Sequence, residues 1–187
     1  MHNLRPLFQG ERTRLCAIDI EKDAPCFFRW RSDSEYWNLL SSSIAFPVNL
    51  RDIKKELQKW ETDEQVYSFG IHTLDDDRLA GLVELEVDLL HRDAWVGIGI
   101  GEADCRGKGF GTDAMLEIMR FGFLELDLFR ISLNTFEYNT PAIRTYEKMG
   151  FTHEGRMRAY LNWKGRRWDL IFMGMLRSEW ESRYHAA

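Results

Sequence analysis

The sequence has 187 residues, of which 44% are apolar and seven are Trp, and its formal net charge is −5. That is enough apolar material for one compact domain and too short for two comfortable ones, and it excludes a disordered chain. A mildly acidic chain without a Lys/Arg block argues against nucleic acid as the main partner; no apolar run approaches the ~20 residues that span a bilayer.

Cys16, Cys26 and Cys105 form no CxxC pair. Their number and spacing argue against a disulfide framework or a zinc site and fit a reducing, cytoplasmic setting. His72, His91 and His153 have no ligand-like spacing, so no metal is expected. Met1–Pro6 lacks an apolar stretch, so no signal peptide is expected there.

In chain order, Arg14–Ile20 alternates as a first strand, and the acids Asp19, Glu21 and Asp23 lead into a helix over about Lys22–Arg31. Glu35–Pro47 is aromatic and Ser-rich without a period and reads as a loop or broken helix. Asn49 caps a helix to about Asp63, with Ile53, Leu57 and Trp60 on one face. Three strands follow, Val66–Thr73, Leu79–Asp88 and Ala94–Ile100, separated by polar turns as in an antiparallel meander. Gly109–Leu126 is the strongest helix, with Met115, Ile118, Met119, Phe123 and Leu126 on one face. Arg130–Phe136 is a strand, and Asn139–Met149 a short helix capped by Asn139 and ended by Gly150. Two strands close the pattern, Phe151–Leu161 and Arg167–Leu176, joined at Lys164-Gly165. This order predicts a single mixed α/β domain over residues 1–187. One long, mostly antiparallel sheet is flanked by helices, with a parallel crossover from Ala94 to Phe136 at its centre.

The run Arg106-Gly107-Lys108-Gly109-Phe110-Gly111-Thr112 leaves a strand and opens the strongest helix. A helix N-terminus offers unpaired N–H groups and a positive dipole end, glycines allow close backbone approach, and Arg106 and Lys108 add charge. These features suit a pyrophosphate. The P-loop pattern is absent, and the dinucleotide pattern fails because Thr112 stands at its third glycine. What remains is [QR]-x-x-G-x-[GA], filled by Arg106, Gly109 and Gly111.

That run resembles the coenzyme A loop of the GNAT (Gcn5-related) N-acetyltransferase superfamily. Asn139-x-x-Ala142-Ile143-x-x-Tyr146-Glu147-Lys148-Met149-Gly150-Phe151 resembles a second signature of that family, in the expected order. The motif core spans about residues 79–161. The nearest branches hold ribosomal-protein and spermidine acetyltransferases, and the latter share runs like Ala80-Gly81-Leu82-Val83-Glu84-Leu85.

The resemblance implies an acetyl-CoA-dependent transfer of acetyl to a primary amine by direct attack on the thioester. It implies a splayed V between Ala94–Ile100 and Arg130–Phe136, with main-chain groups of Ile98, Gly99 and Ile100 pairing with the pantetheine arm. An N–H there would steady the thioester oxygen. Gly97, Gly99 and Gly101 fit close backbone approach and equally fit a strand packed beneath a helix. Arg106 to Thr112 would hold the pyrophosphate, and Asn139 and Ala142 the pantetheine end. Tyr146 matches the family's proton donor to the leaving thiolate.

The base is sought on the strand Leu79–Asp88, where Glu84, Glu86 and Asp88 share one face. Glu84 is the candidate because it lies in the family-like run, while Glu86 and Asp88 read as an ordinary solvated face. Tyr36, Trp37 and Phe46 would line an acceptor pocket or belong to the core. The acceptor would be a small-molecule amine or a protein N-terminal amine, and the partner of the chain a second copy of itself, in a homodimer or higher homo-oligomer. Two readings compete with this one. A CoA-binding module without turnover would keep the loop, but an intact Tyr146 speaks against it. A polyamine acetyltransferase would carry carboxylates after its first helix, whereas Asn38–Ile44 has none, Asp33 and Glu35 lie just before it, and position 87 is Val.

Overall fold

The computed structural model describes residues 6–184; the N-terminal reading over Met1–Pro6 therefore lies, but for Pro6, outside the described residues. The elements in chain order are β1 (Thr13–Cys16), α1 (Ile20–Ser32), α2 (Ser34–Leu40), α3 (Leu50–Thr62), β2 (Val66–Thr73), β3 (Leu79–Asp88) and β4 (Asp93–Ile100). They continue with α4 (Phe110–Arg120), β5 (Arg130–Phe136), α5 (Thr140–Met149), β6 (Thr152–Trp163), β7 (Arg166–Leu176) and α6 (Arg177–Tyr184). The seven strands form one sheet in the order β1-β2-β3-β4-β5-β7-β6. Among the described strands only β4 and β5 run parallel. The mixed α/β sheet with a central parallel pair is therefore observed.

Alternation along the strands gives the sheet two apolar faces. Val83, Leu85 and Val87 pack with Val96, Ile131 and Met173 under Met115, Ile118 and Met119 of α4. On the opposite face Leu79 and Leu82 meet Ala24, Phe27 and Trp30 of α1, Tyr36 of α2, and Ile53 and Leu57 of α3.

Several boundaries differ from the sequence reading. β1 ends at Cys16 because Asp19 caps α1, its carboxylate accepting from the N–H groups of Glu21 and Lys22 at 3.1 Å. Within Glu35–Pro47 a true helix forms: Asp33 caps α2 by accepting from the N–H groups of Glu35 and Tyr36. The helix expected to reach Leu126 stops at Arg120, and a π-helical turn over Phe121–Glu125 follows. That turn sends Phe121 and Phe123 into the core, and Gly122 lets Ile131 of β5 press close, a Cβ there falling 2.9 Å from Ile131 Cδ1. α6 was not foreseen. Its one buried residue is Trp180, and Tyr184, four positions on, is exposed, so no helical period stands out among the polar neighbours.

Candidate functional site

The centre of the sheet opens at one point. β4 and β5 pair only at Asp93–Arg130, Ala94–Ile131 and Trp95–Ser132, and beyond Trp95 the strands diverge. β3 still pairs with β4 as far as Ile100. Alternate residues from Val96 to Ile100 therefore turn their N–H and C=O groups toward an opening that no protein strand fills. A cleft of about 550 Å³ occupies it.

Three groups of the sequence-predicted residues line this cleft. Ile98, Gly99 and Ile100 form its β4 wall; Arg106, Gly107, Gly109, Gly111 and Thr112 form its mouth; Asn139, Ala142 and Tyr146 form its α5 wall. Lys108 and Phe110 do not line it. The Lys108 side chain is exposed, and its carbonyl accepts from Arg12 Nη1 at 3.0 Å.

The mouth is built as a main-chain anion site. Gly109 caps α4 with φ +88°, a conformation that glycine adopts without penalty. The first bond of the helix runs from Asp113 N–H to Gly109 O at 3.0 Å, so the N–H groups of Phe110, Gly111 and Thr112 have no acceptor within the helix. No side chain caps them. The helix end is held from behind by the Asp113 carboxylate. It accepts from the N–H groups of Glu11, Arg12 and Thr13 at 2.9, 3.1 and 2.9 Å and from Thr13 Oγ1 at 2.7 Å.

Arg106 does a different job from the one its charge suggested. Its guanidinium donates to Ile100 O at 3.0 Å, Gly101 O at 2.8 Å and Asp33 Oδ2 at 3.1 Å. The cation is thereby committed to tying the loop to the end of β4 and to the cap of α2. The anion site rests on N–H groups rather than on this side chain.

The three alternating glycines of the β4 region are also explained by packing. A Cβ on Gly101 would collide with the Trp30 indole, and one on Gly99 with the Tyr36 hydroxyl. One on Gly97 would lie 3.0 Å from Glu84 Oε1. Of the two readings of these small residues, the strand packed beneath helices holds on this face; what approaches the backbone is the protein's own side chains.

Tyr146 is half-buried, its ring 5.9 Å from Phe151 and inclined at 63°, and burial pushes its hydroxyl up to about 12. It stays protonated across the neutral range and can donate. Asn139 caps α5, but its carbonyl oxygen accepts from Ala142 N–H only at 3.4 Å, a long bond that leaves the carboxamide turned to the cleft.

Glu84 is not among the cleft's lining residues. It is half-buried on β3, opposite Gly97 of β4, on the sheet face covered by α1–α3. Burial first, and then the charges of Glu86 and Glu56, raise its pKa above the usual carboxylate range. Glu86 is exposed, and Asp88 accepts from the N–H groups of Leu90 and His91, an ordinary turn role.

Tyr36 is buried and lines the cleft with Leu39 and Leu40 of α2, whereas Trp37 lines only the small apolar pocket beside it. Phe46 is exposed and lines neither. Sequence reasoning missed Thr145 and Tyr184 on the far side of the cleft. Thr145 stands inside the second motif, next to Tyr146. Tyr184 belongs to the unforeseen α6 and donates to Met149 O at 2.8 Å. Among the described residues no group of three or more His, Cys, Asp or Glu is placed to hold a metal. No helix among them is long and apolar enough to cross a membrane.

With this geometry in hand, comparison with known proteins is specific. A family model described as an acetyltransferase (GNAT) domain matches residues 12–152. An SPbeta prophage-derived uncharacterized N-acetyltransferase, YokL, of Bacillus subtilis is 30% identical over 140 residues, covering 74% of this chain and 77% of its own. The spermidine N(1)-acetyltransferase of Vibrio cholerae is 32% identical over 158 residues, covering 75% of this chain and 91% of its own. A crystal structure of spermidine N-acetyltransferase from Vibrio cholerae with CoA and spermine superposes with a TM-score of 0.81 at 24% identity, over 90% of this chain and 97% of that one, and shows the shared fold.

Proposed function

Because the chain belongs to the GNAT acetyltransferase family and is an acetyl-CoA-dependent N-acetyltransferase, we propose that the cleft between β4 and β5 is where it takes the thioester. The observation that carries this is the convergence of eleven residues, three from β4 and eight from the two signature motifs, on one cavity whose strand edge and helix end are unfilled. The described residues, sharing one sheet, act as one catalytic domain.

In this reading the N–H groups of Gly107 to Thr112 hold the pyrophosphate, since oriented main-chain donors at a helix end favour an anion. Main-chain groups of Ile98, Gly99 and Ile100 hold the pantetheine arm as an added strand would be held. Asn139 and Ala142 face its amide from α5. Glu84 takes a proton from the incoming ammonium through water, which bridges the distance from β3 to the cleft, and its raised pKa brings it nearer the operating pH. The amine then forms the C–N bond, the C–S bond breaks, and Tyr146 gives its proton to the departing thiolate. The amine's second proton returns to solvent, and solvent reprotonates Tyr146.

The acceptor is a small primary amine. Relatives named for spermidine support that class. A polyamine site built on carboxylates is not supported, because Asp33 is committed to the α2 cap and to Arg106, and residues 38–44 carry no acid. Acetyl-CoA consumption with spermidine, amino acids, an aminoglycoside and N-terminal peptides tests this. Turnover of a small amine is expected; acetylation of peptides alone would overturn it.

A further inference from the structure

The cleft that holds Tyr146 is lined by a second phenol, which the acetyl transfer described above does not use. Tyr36 is only 7% exposed and lines the cleft. Its hydroxyl makes no hydrogen bond to any of the described residues and is open to the cleft, so it is free to donate to a ligand there. The hydroxyl lies against Gly99, the middle residue of the β4 wall, where any Cβ would collide with it.

The ring is held rigidly. Trp30 meets it edge-on at 6.5 Å, and the Arg106 guanidinium sits 5.0 Å from its centroid. The Tyr36 main-chain N–H donates to Asp33 Oδ1 at 3.1 Å, and Asp33 pairs with Arg106 at 3.1 Å. The cation that fixes the loop to the end of β4 therefore also fixes this phenol relative to β4. Donors that need no rearrangement as charge develops are the ones that stabilise it best.

We propose that Tyr36 donates a hydrogen bond to the thioester carbonyl oxygen, forming with a main-chain N–H of β4 a two-donor site for the oxyanion. This rests on the cleft being the acetyl-CoA site. As the amine's lone pair forms the C–N bond, the carbonyl electron pair moves onto oxygen. Tyr36 and the N–H stabilise that charge without transferring a proton. The pair returns as the C–S bond breaks, and the thiolate takes its proton from Tyr146. The two phenols thus serve different atoms, Tyr36 the oxygen and Tyr146 the sulfur. Burial holds the Tyr36 hydroxyl above its ordinary pKa, which keeps it a donor.

Difference infrared spectroscopy of bound acetyl-CoA carrying ¹³C in the carbonyl, with no amine present, reads the bond directly. Tyr36→Phe keeps the ring and its packing. It should move the carbonyl band to higher wavenumber and lower kcat by about 10²-fold, with acetyl-CoA affinity and Tm near wild type. Gly99→Ala, whose Cβ displaces the hydroxyl while leaving the tyrosine in place, should move the band the same way. Tyr146→Phe should leave it unmoved. An unshifted band in Tyr36→Phe, or a raised KM for the amine with unchanged kcat, would overturn the assignment. If wild-type protein binds no acetyl-CoA in the same titration, the cleft reading falls first, which separates the two failures.

Discussion

Replacing Gly109 by Val separates ligand binding from backbone strain, because the structure supplies a matched control. Gly109 has φ +88° and a Cβ there meets nothing within 4 Å; Gly165, in the β6–β7 turn, has φ +71° and likewise meets nothing. Neither substitution creates an internal clash, so each costs only the left-handed conformation, about 1–2 kcal/mol. For a domain of this size that lowers Tm by roughly 2–8 °C. Gly109, however, sits where open space should receive the pyrophosphate, and a β-branched side chain there pushes the anion off the N–H groups. Losing one charge-assisted hydrogen bond, worth about 1.5–3 kcal/mol, corresponds to roughly a 10- to 150-fold weaker acetyl-CoA interaction. Isothermal titration and the KM for acetyl-CoA, read beside Tm for both variants, check this. Equal Tm losses with a binding defect confined to Gly109→Val are expected. If both variants keep wild-type affinity, the phosphates do not lie on this loop.

Tyr146→Phe keeps the ring on Phe151 and should lower kcat by ~10²–10⁴-fold with acetyl-CoA affinity and Tm near wild type; unchanged kcat removes Tyr146 from the mechanism. Glu84 must be ionised to act as a base, so the acidic limb of kcat/KM should lie above the ordinary glutamate range and vanish in Glu84→Gln. The same raised pKa means that the folded state binds the proton more tightly than the unfolded chain, so stability is lost as pH rises through the folded value. Glu84→Gln should therefore gain Tm over wild type at neutral pH but not at pH 4, and a Tm difference independent of pH would refute the burial argument. Asp113→Ala strips one acceptor from four donors at the back of α4, which should cost about 3 kcal/mol or more and lower Tm by roughly 6–12 °C or more in thermal melts; a loss under 2 °C would show that water replaces the carboxylate.

Much of the architecture was legible in the order of residues. β2, β3 and β5 fall where alternation put them, α4 begins at the glycine-rich run, and α5 runs from its Asn139 cap to Gly150. These are local signals: strand period, helix period, capping chemistry and the positive φ that glycine permits. They also brought out the two motifs, because a main-chain anion site needs glycines at fixed spacing before a helix, and that requirement is written within seven residues.

Tertiary structure decided what depends on distant partners. Nothing local in Arg106 reveals that its charge is taken by Ile100 O, Gly101 O and Asp33, the last 73 positions away. Tyr36, one aromatic among several, becomes distinctive only once α2 lays its hydroxyl on Gly99. Glu84 alternates correctly yet stands off the cleft, because a strand's period chooses a face but not the depth or neighbours on it. The cleft itself exists because β4 and β5 stop pairing after Trp95, and strand divergence is a property of the assembled sheet. Short-range chemistry is set by neighbours in the chain. The electrostatics and the emptiness of a site are set by which long-range partners arrive, and packing alone determines that.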